Sequence, residues 1–350
     1  MQHNNTKIKA VIFALLAAVF YAINTPVSKL LLQQVDPAVV AAFLYLGAGV
    51  GVGIMYLFHY RKEAPEERLK KTDFPYTLGM ILLDIAAPVL LMMGISIGSA
   101  SDASLLGNFE IVATTLMALL LFKERVSGRL WLAIGFITVS SILLSLDGAA
   151  GFRFSTGSLF VILATCCWGL ENNCTRKISD KSTYQIVVLK GFLSGGGALI
   201  LALAGGGRIP ALIYMAAAML LGFVSYGLSI FLYIRAQSTL GAAKTSAYYA
   251  VAPFVGAFLA VIVNKEQLTG FFYVALLFML AGSVMVVYDT MVRHHVHAHS
   301  HLIVHRHNGR VHTHFLMHQH DHEHLISEGN HGHRHESYRF SKEHTMAHKQ

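Results

Sequence analysis

Five ionisable side chains stand inside long apolar runs of this 350-residue chain: Lys29, Asp84, Glu110, Glu171 and Lys190. A charged group costs at least about 2.5 kcal/mol at the centre of a bilayer, so each should face protein or water. A carboxyl in such a run can trade a proton for a solute, and a lysine can steady an anionic group. Asp84 and Glu110 fall near the middle of their runs, whereas Lys29 and Glu171 lie toward one end, within snorkelling reach of the interface. Prolines mark further positions. Pro26, Pro88 and Pro253 each deny a helical donor to the carbonyl four residues earlier, on Ala22, Asp84 and Tyr249. Freed carbonyls at membrane depth are tolerated where they line a cavity or meet side chains. The candidates for substrate binding or coupling are Asn24, Lys29, Asp84, Asn108, Glu110, Glu171, Lys190 and Tyr249. No nucleophile-base-orienter set and no phosphate-cradling glycine loop accompanies them, so an enzyme is not expected.

A different chemistry is concentrated after Arg293, where 18 of the 20 histidines lie. Many alternate as His-x-His: His297, His299 and His301; His312 and His314; His318, His320, His322 and His324; His331, His333 and His335. Neutral imidazole suits Zn, Ni, Cu and Co, and a flexible chain of close pairs can wrap such an ion. No Cys-x-x-Cys pair or His-Glu-x-x-His helix is present, so a preformed catalytic zinc site is not supported. The composition cannot build a packed core, which predicts a disordered tail over 293–350. The body requires no cofactor.

The elements that must position the buried charges are membrane helices. Apolar residues make up 54% of the chain and charged residues 13%, against roughly 25% charged in soluble domains. At about 20 residues per crossing, the apolar runs predict an all-α membrane protein with ten spans: 8–32, 38–58, 75–97, 100–122, 129–146, 157–177, 184–204, 211–234, 241–263 and 270–290. Lys and Arg gather on alternate connections, which predicts both termini in the cytoplasm and residence in the cell (inner or plasma) membrane. The positive balance of +8 is thus a topology signal, with no stripe suited to nucleic acid. Cys166, Cys167 and Cys174 fall in one span and read as small packing residues.

The spans repeat. Leu121–Gly128 reads LFKERVSG and Val263–Gly270 reads VNKEQLTG, sharing Lys-Glu-x-Val/Leu-Ser/Thr-Gly at an offset of 142. The same offset pairs Ser104 with Ser246 and Asp84 with Tyr226; further upstream it drifts to about 147, where Tyr21-Ala22 faces Trp168-Gly169. Five spans per half is an odd number, so the halves cross the bilayer in opposite senses, as an inverted repeat. Two halves are expected, 1–147 and 148–292, followed by the tail. Gly47-x-Gly49-x-Gly51-x-Gly53 and Gly195-Gly196-Gly197 occupy equivalent helices and predict close helix packing.

In this order the motifs resemble the drug/metabolite transporter superfamily, EamA type, over residues 8–290. Such halves often carry Glu-Pro in the fourth helix; here the first has Glu110-Ile111 and the second Ala252-Pro253. A basic residue common in the second helix is Lys190 in one half and Phe43 in the other. The resemblance implies a central cavity lined by the first four helices of each half, with the fifth and tenth peripheral or at a homodimer contact.

These readings converge on a secondary transporter of a small organic metabolite, proton- or ion-coupled, in a lipid bilayer and with a metal-binding regulatory tail. Two alternatives stand beside it. One is a divalent metal transporter (Ni, Co or Zn) whose tail is a cytoplasmic chelator. The other is a metal-sensing membrane receptor or scaffold.

Overall fold

The computed structural model describes the backbone of residues 2–60, 63–123, 126–147, 153–178, 181–240, 245, 248–307 and 310–325. It divides into two units, 1–289 and 290–350.

The first unit is helical wherever the sequence is continuously apolar. Its first half comprises α1 (Gln2–Ala22), α2 (Asn24–Leu31), α3 (Pro37–His59), α4 (Phe74–Ile97), α5 (Ala100–Leu106), α6 (Phe109–Phe122) and α7 (Gly128–Leu144). Its second comprises α8 (Thr156–Arg176), α9 (Thr183–Leu189), α10 (Gly195–Ala204), α11 (Leu212–Gly222), α12 (Ser229–Leu240), α13 (Ala252–Asn264) and α14 (Gly270–Met291). Two π-helical turns, Lys190–Ser194 and Phe223–Leu228, join α9 to α10 and α11 to α12.

Among the described residues, seven helical segments are long and apolar enough to cross a membrane, and Gly128–Leu144 and Ala252–Asn264 are shorter apolar helices. Length and hydropathy among the described residues thus do not by themselves reach the ten spans expected from the sequence. Helix α8 has the length, but Glu171-Asn172-Asn173 and Arg176 make its last turns polar. The run over 241–263 is also not one helix. Turn residues at 250–251 precede α13, and Pro253 lies in its first turn, where its missing donor costs nothing. Pro88, by contrast, sits inside the unbroken α4. Leu82, Leu120, Phe258 and Leu277 are all more than half exposed on these helices, a surface suited to lipid rather than water.

Small residues let the halves meet. A Cβ on Gly47 would lie 2.0 Å from the Met219 carbonyl oxygen, and one on Gly222 would lie 1.9 Å from that of Leu44. Gly49 and Gly191 meet backbone to backbone in the same way. The expected close packing along the glycine stripe is thus present between α3 and the helices of the second half. Ala17, Ala18, Ala41, Ala42 and Ala164 are fully buried in the same interior.

Strands lie outside the apolar helices. β1 (Leu146–Asp147) pairs with β2 (Arg153–Phe154) just beyond α7. In the second unit, β3 (Val292–His307) pairs antiparallel with β4 (Arg310–Leu325). That hairpin departs from the disorder expected of the tail. Every-other-residue histidine with Val, Leu, Phe or Thr between is a period-two pattern, which fits a strand as well as a coil. Residues 326–350, including His331, His333 and His335, lie outside the described residues.

Candidate functional site

The sequence candidates resolve into one linked network and one separate clasp. Asp84 on α4 is 1% exposed and Glu171 on α8 is 3% exposed. Lys190, from the second half, reaches both: its Nζ is 2.7 Å from Glu171 Oε1 and 3.2 Å from Asp84 Oδ2. It opens the π-helical turn Lys190–Ser194; such wide turns recur at functional positions. Glu171 also accepts from Thr175 Oγ1 one turn on. A buried triad of this kind is held by mutual need, because loss of one partner leaves an uncompensated charge.

Tyr45 carries the network onward. Its hydroxyl donates to Asp84 Oδ1 at 3.1 Å, and its ring lies 5.2 Å from that of Tyr226. Tyr226 belongs to the other π-helical turn, and its hydroxyl accepts from Asn24 Nδ2 at 3.1 Å. Asn24 Oδ1 accepts from Ser28. Tyr21 stands 6.0 Å from Tyr226 and 5.9 Å from Tyr249, ring to ring. The Tyr249 hydroxyl is 3.3 Å from that of Ser229. Asn24, Asp84, Glu171, Lys190 and Tyr249 are thereby brought into one connected region.

Glu110 joins it through Asn172, whose Nδ2 donates to Glu110 Oε1 at 2.6 Å. Asn108, at the start of α6, is 4% exposed, and its Nδ2 has no hydrogen-bond partner among the described residues. Sequence reasoning missed Tyr21, Tyr45 and Asn172 as network members. Asn172 was findable beside Glu171; Tyr45 carries no local signal.

Lys29 is elsewhere. Its Nζ donates to the carbonyl oxygens of Ile95 and Gly98, both at 2.6 Å, where α4 ends. Orphan carbonyls at a helix C-terminus attract a cation, which explains the placement. The next helix start is held by Glu266 from the second repeat motif. Its carboxylate accepts from the Ala100 amide at 2.7 Å, the Ser101 amide at 2.9 Å and the Ser101 hydroxyl at 2.6 Å. Lys29 on α2 and Glu266 in the connection after α13 thus grip the α4–α5 corner from two sides. The equivalent Glu124 lies outside the described residues.

A third cluster ties the halves where α3 ends. Glu63 Oε2 accepts from the Tyr56 hydroxyl at 2.7 Å and from Gln185 Nε2 at 3.0 Å, and lies 3.6 Å from Arg68 Nε. Burial pushes the Glu63 carboxyl up, but hydrogen bonds from Ser182, Tyr56 and Gln185 and the Arg68 charge together hold it below its usual value. A surface recess of about 610 Å³ nearby is lined by Leu69, Lys70, Lys71, Phe74, Thr77 and Leu189. It holds none of the buried carboxylates and is not the candidate site.

The body is a bundle of apolar helices with a buried ion pair, Lys190–Asp84, between its halves. Comparison with known proteins gives its family. The chain belongs to the EamA-like transporter family, whose sequence pattern matches residues 8–146 and again residues 155–288; this places it in the drug/metabolite transporter superfamily and makes it an integral membrane protein. It is 25% identical to an uncharacterized transporter of Methanothermobacter thermautotrophicus over 273 residues, covering 71% of this chain and 78% of that one. It is 24% identical to an uncharacterized transporter of Clostridium kluyveri over 307 residues, covering 79% and 92%. A crystal structure matches at TM-score 0.59 and 14% identity, covering 80% of this chain and 96% of that one, a likeness of fold alone.

Proposed function

We propose that the protein is a secondary carrier of a small organic solute, working by alternating access across ten crossings with both termini in the cytoplasm. The two inverted halves rock about the region of Asp84, Glu110, Glu171 and Lys190, and Glu110 exchanges a proton in step with the solute. The observation that carries this reading is the position of Glu110. It is a half-buried carboxyl in the first turn of α6, midway along the apolar segment Ala100–Leu121, hydrogen-bonded to the neutral Asn172 and in no ion pair among the described residues. A structural carboxylate at that depth would be expected to have a cationic partner, as Asp84 and Glu171 do.

The test is solute flux into proteoliposomes under an imposed pH gradient, comparing the parent protein with Glu110→Gln. Uphill flux that Glu110→Gln reduces at least tenfold supports the reading. Flux indifferent to the pH gradient and to Glu110 contradicts it.

The tail is read as an accessory arm for Zn, Ni, Co or Cu. Support comes from the His-x-His spacing and from strand register, which sets His295 opposite His322, His297 opposite His320, His299 opposite His318 and His305 opposite His312. Paired histidines at this spacing suit a shared divalent ion. Truncation after Val292 is expected to abolish Ni or Zn binding in equilibrium dialysis and to leave solute flux within about twofold. A metal as cargo has less support. Among the described residues no three His, Cys, Asp or Glu side chains stand close enough to hold an ion.

A further inference from the structure

The histidines of β3 and β4 are sorted to one side of the hairpin. Residues directly opposite in an antiparallel ladder share a face, and so do residues two apart along a strand. In the observed register the odd positions of β3 stand with the even positions of β4. Twelve of the sixteen positions on that face are histidine, six on each strand, whereas the other face carries His294 alone. The sorting depends on register. A slip by one residue would move every β4 histidine to the opposite face and split the set. The chain also marks this register in a second way. Asn308-Gly309 falls between the paired His307 and Arg310, and Asn-Gly between alternating segments is the strongest short-range signal for a hairpin. Turn sequence and histidine phase thus specify the same pairing independently.

The histidine face is built in two blocks. Three successive rungs set histidine against histidine: His295–His322, His297–His320 and His299–His318. His301 and His324 extend this block at its two ends, opposite Leu316 and Arg293. Leu316 and Ile303 then interrupt the face, and His305–His312 forms a second block flanked by His307 and His314. Opposed Cβ atoms in a ladder lie about 5 Å apart, and same-face neighbours on one strand about 7 Å apart. Two adjoining rungs therefore anchor four imidazoles at the corners of a rectangle of that size, and four is the number a tetrahedral ion takes. Asp321 and Glu323 fall on the other face, so the donors of this one are nitrogen alone. That set suits Zn, Ni, Cu or Co and is wrong for Ca, Mg or Mn. The described side chains end at residue 289, and among them no three ligands converge; the tail's ligands are placed by strand register.

We propose that the hairpin is a preorganised one-faced metal ribbon, holding divalent transition ions separately in its larger block and in the block around His305 and His312. This rests on the reading of the tail as a metal-binding arm. It adds a fold to that reading, because a string of His-x-His pairs in any other conformation would chelate without it. Ligation from both strands ties β3 to β4, so each ion bound also stabilises the hairpin.

The experiment holds composition and spacing fixed and moves only the face. In the full-length protein, neighbours in β4 are exchanged: His318→Gln with Gln319→His, His320→Asp with Asp321→His, and His322→Glu with Glu323→His. The exchanged histidines keep their His-x-His spacing but stand on the face away from those of β3. Zn binding is measured by equilibrium dialysis beside the parent and beside protein truncated after Val292, which sets the background. The parent is expected to bind at least two ions above background, and the exchange to weaken the tightest of them at least about tenfold. His305→Ala with His312→Ala should lower the number bound and leave the tightest affinity within about twofold. Undiminished binding by the exchanged variant overturns the proposal, as does an unchanged number in the double variant. The two readings fail separately. Equal binding by parent and exchanged protein, both above background, removes the ribbon and keeps the metal-binding arm. No Zn bound above background removes the arm itself, and the ribbon with it.

Discussion

Lys123 and Lys265 share one backbone conformation, with φ of 54° at each, and are the two non-glycine residues of positive φ among those described. They stand 142 residues apart at the same position of the repeated motif. Each terminates a helix, α6 and α13, in the left-handed conformation. The repeat is therefore present in the chain's geometry as well as in its letters. The left-handed region costs an L-residue about 1–2 kcal/mol and glycine almost nothing. Lys123→Gly and Lys265→Gly are each expected to leave the protein as stable or up to about 1 kcal/mol more stable, measured by thermal unfolding in detergent. A clear loss at either position would mean that the lysine side chain, not the backbone turn, is what matters there.

The Asp84–Lys190–Glu171 triad predicts strong non-additivity. Lys190→Met strands two carboxylates that are 1% and 3% exposed, and should cost about 3–5 kcal/mol. Adding Asp84→Asn and Glu171→Gln to Lys190→Met should recover most of that loss, because the neutral trio carries no buried charge. Denaturation of the single and triple variants decides it. If the losses simply add, the three groups are not one unit.

Glycine substitutions should separate packing from propensity. Gly222→Ala and Gly47→Ala push a methyl into backbone less than 2.1 Å away, at an expected cost of about 1–3 kcal/mol. Gly196→Ala meets nothing within 4 Å and should gain several tenths of a kcal/mol from helix propensity. Equal effects at all three would contradict the packing found along α3.

The Glu63 cluster predicts an acid-limited contribution to stability. Its carboxyl is held below the usual value near 4.5. A group depressed on folding adds stability that is fully present above its unfolded pKa and fades as pH falls through the folded one. The difference in melting temperature between parent and Glu63→Gln should thus be constant from pH 5 upward and shrink below about pH 4. A difference that changes between pH 6 and 8 would assign the cluster a different role.

Much of this was legible in the residues. Continuous apolar runs become helices because no polar backbone partner exists in lipid, and the duplicated motif set the register of the halves. Asp84 and Glu110 could be singled out because a charge in such a run needs a reason. Their partners could not. Tyr45 reaches Asp84 across 39 residues and Asn24 reaches Tyr226 across 202, contacts with no local signature. The partners of Lys29 were hidden for the same reason: the carbonyls it binds lie 66 to 69 residues away. The start of a new helix at Pro253 was not legible either, because hydropathy does not distinguish a proline inside a helix from one that begins it.

The central claim is that the region around Glu110 opens to each side of the membrane in turn, and it can be tested without knowing the solute. Asn172, which donates to Glu110, is replaced by cysteine after Cys166, Cys167 and Cys174 are changed to serine. Reaction with a membrane-impermeant thiol reagent is then measured separately from each face of sealed, oriented vesicles. Alternating access predicts labelling from both faces, with occupancy by solute or acid pH changing the ratio between them. Labelling confined to one face, whatever the pH or added solute, would contradict the account.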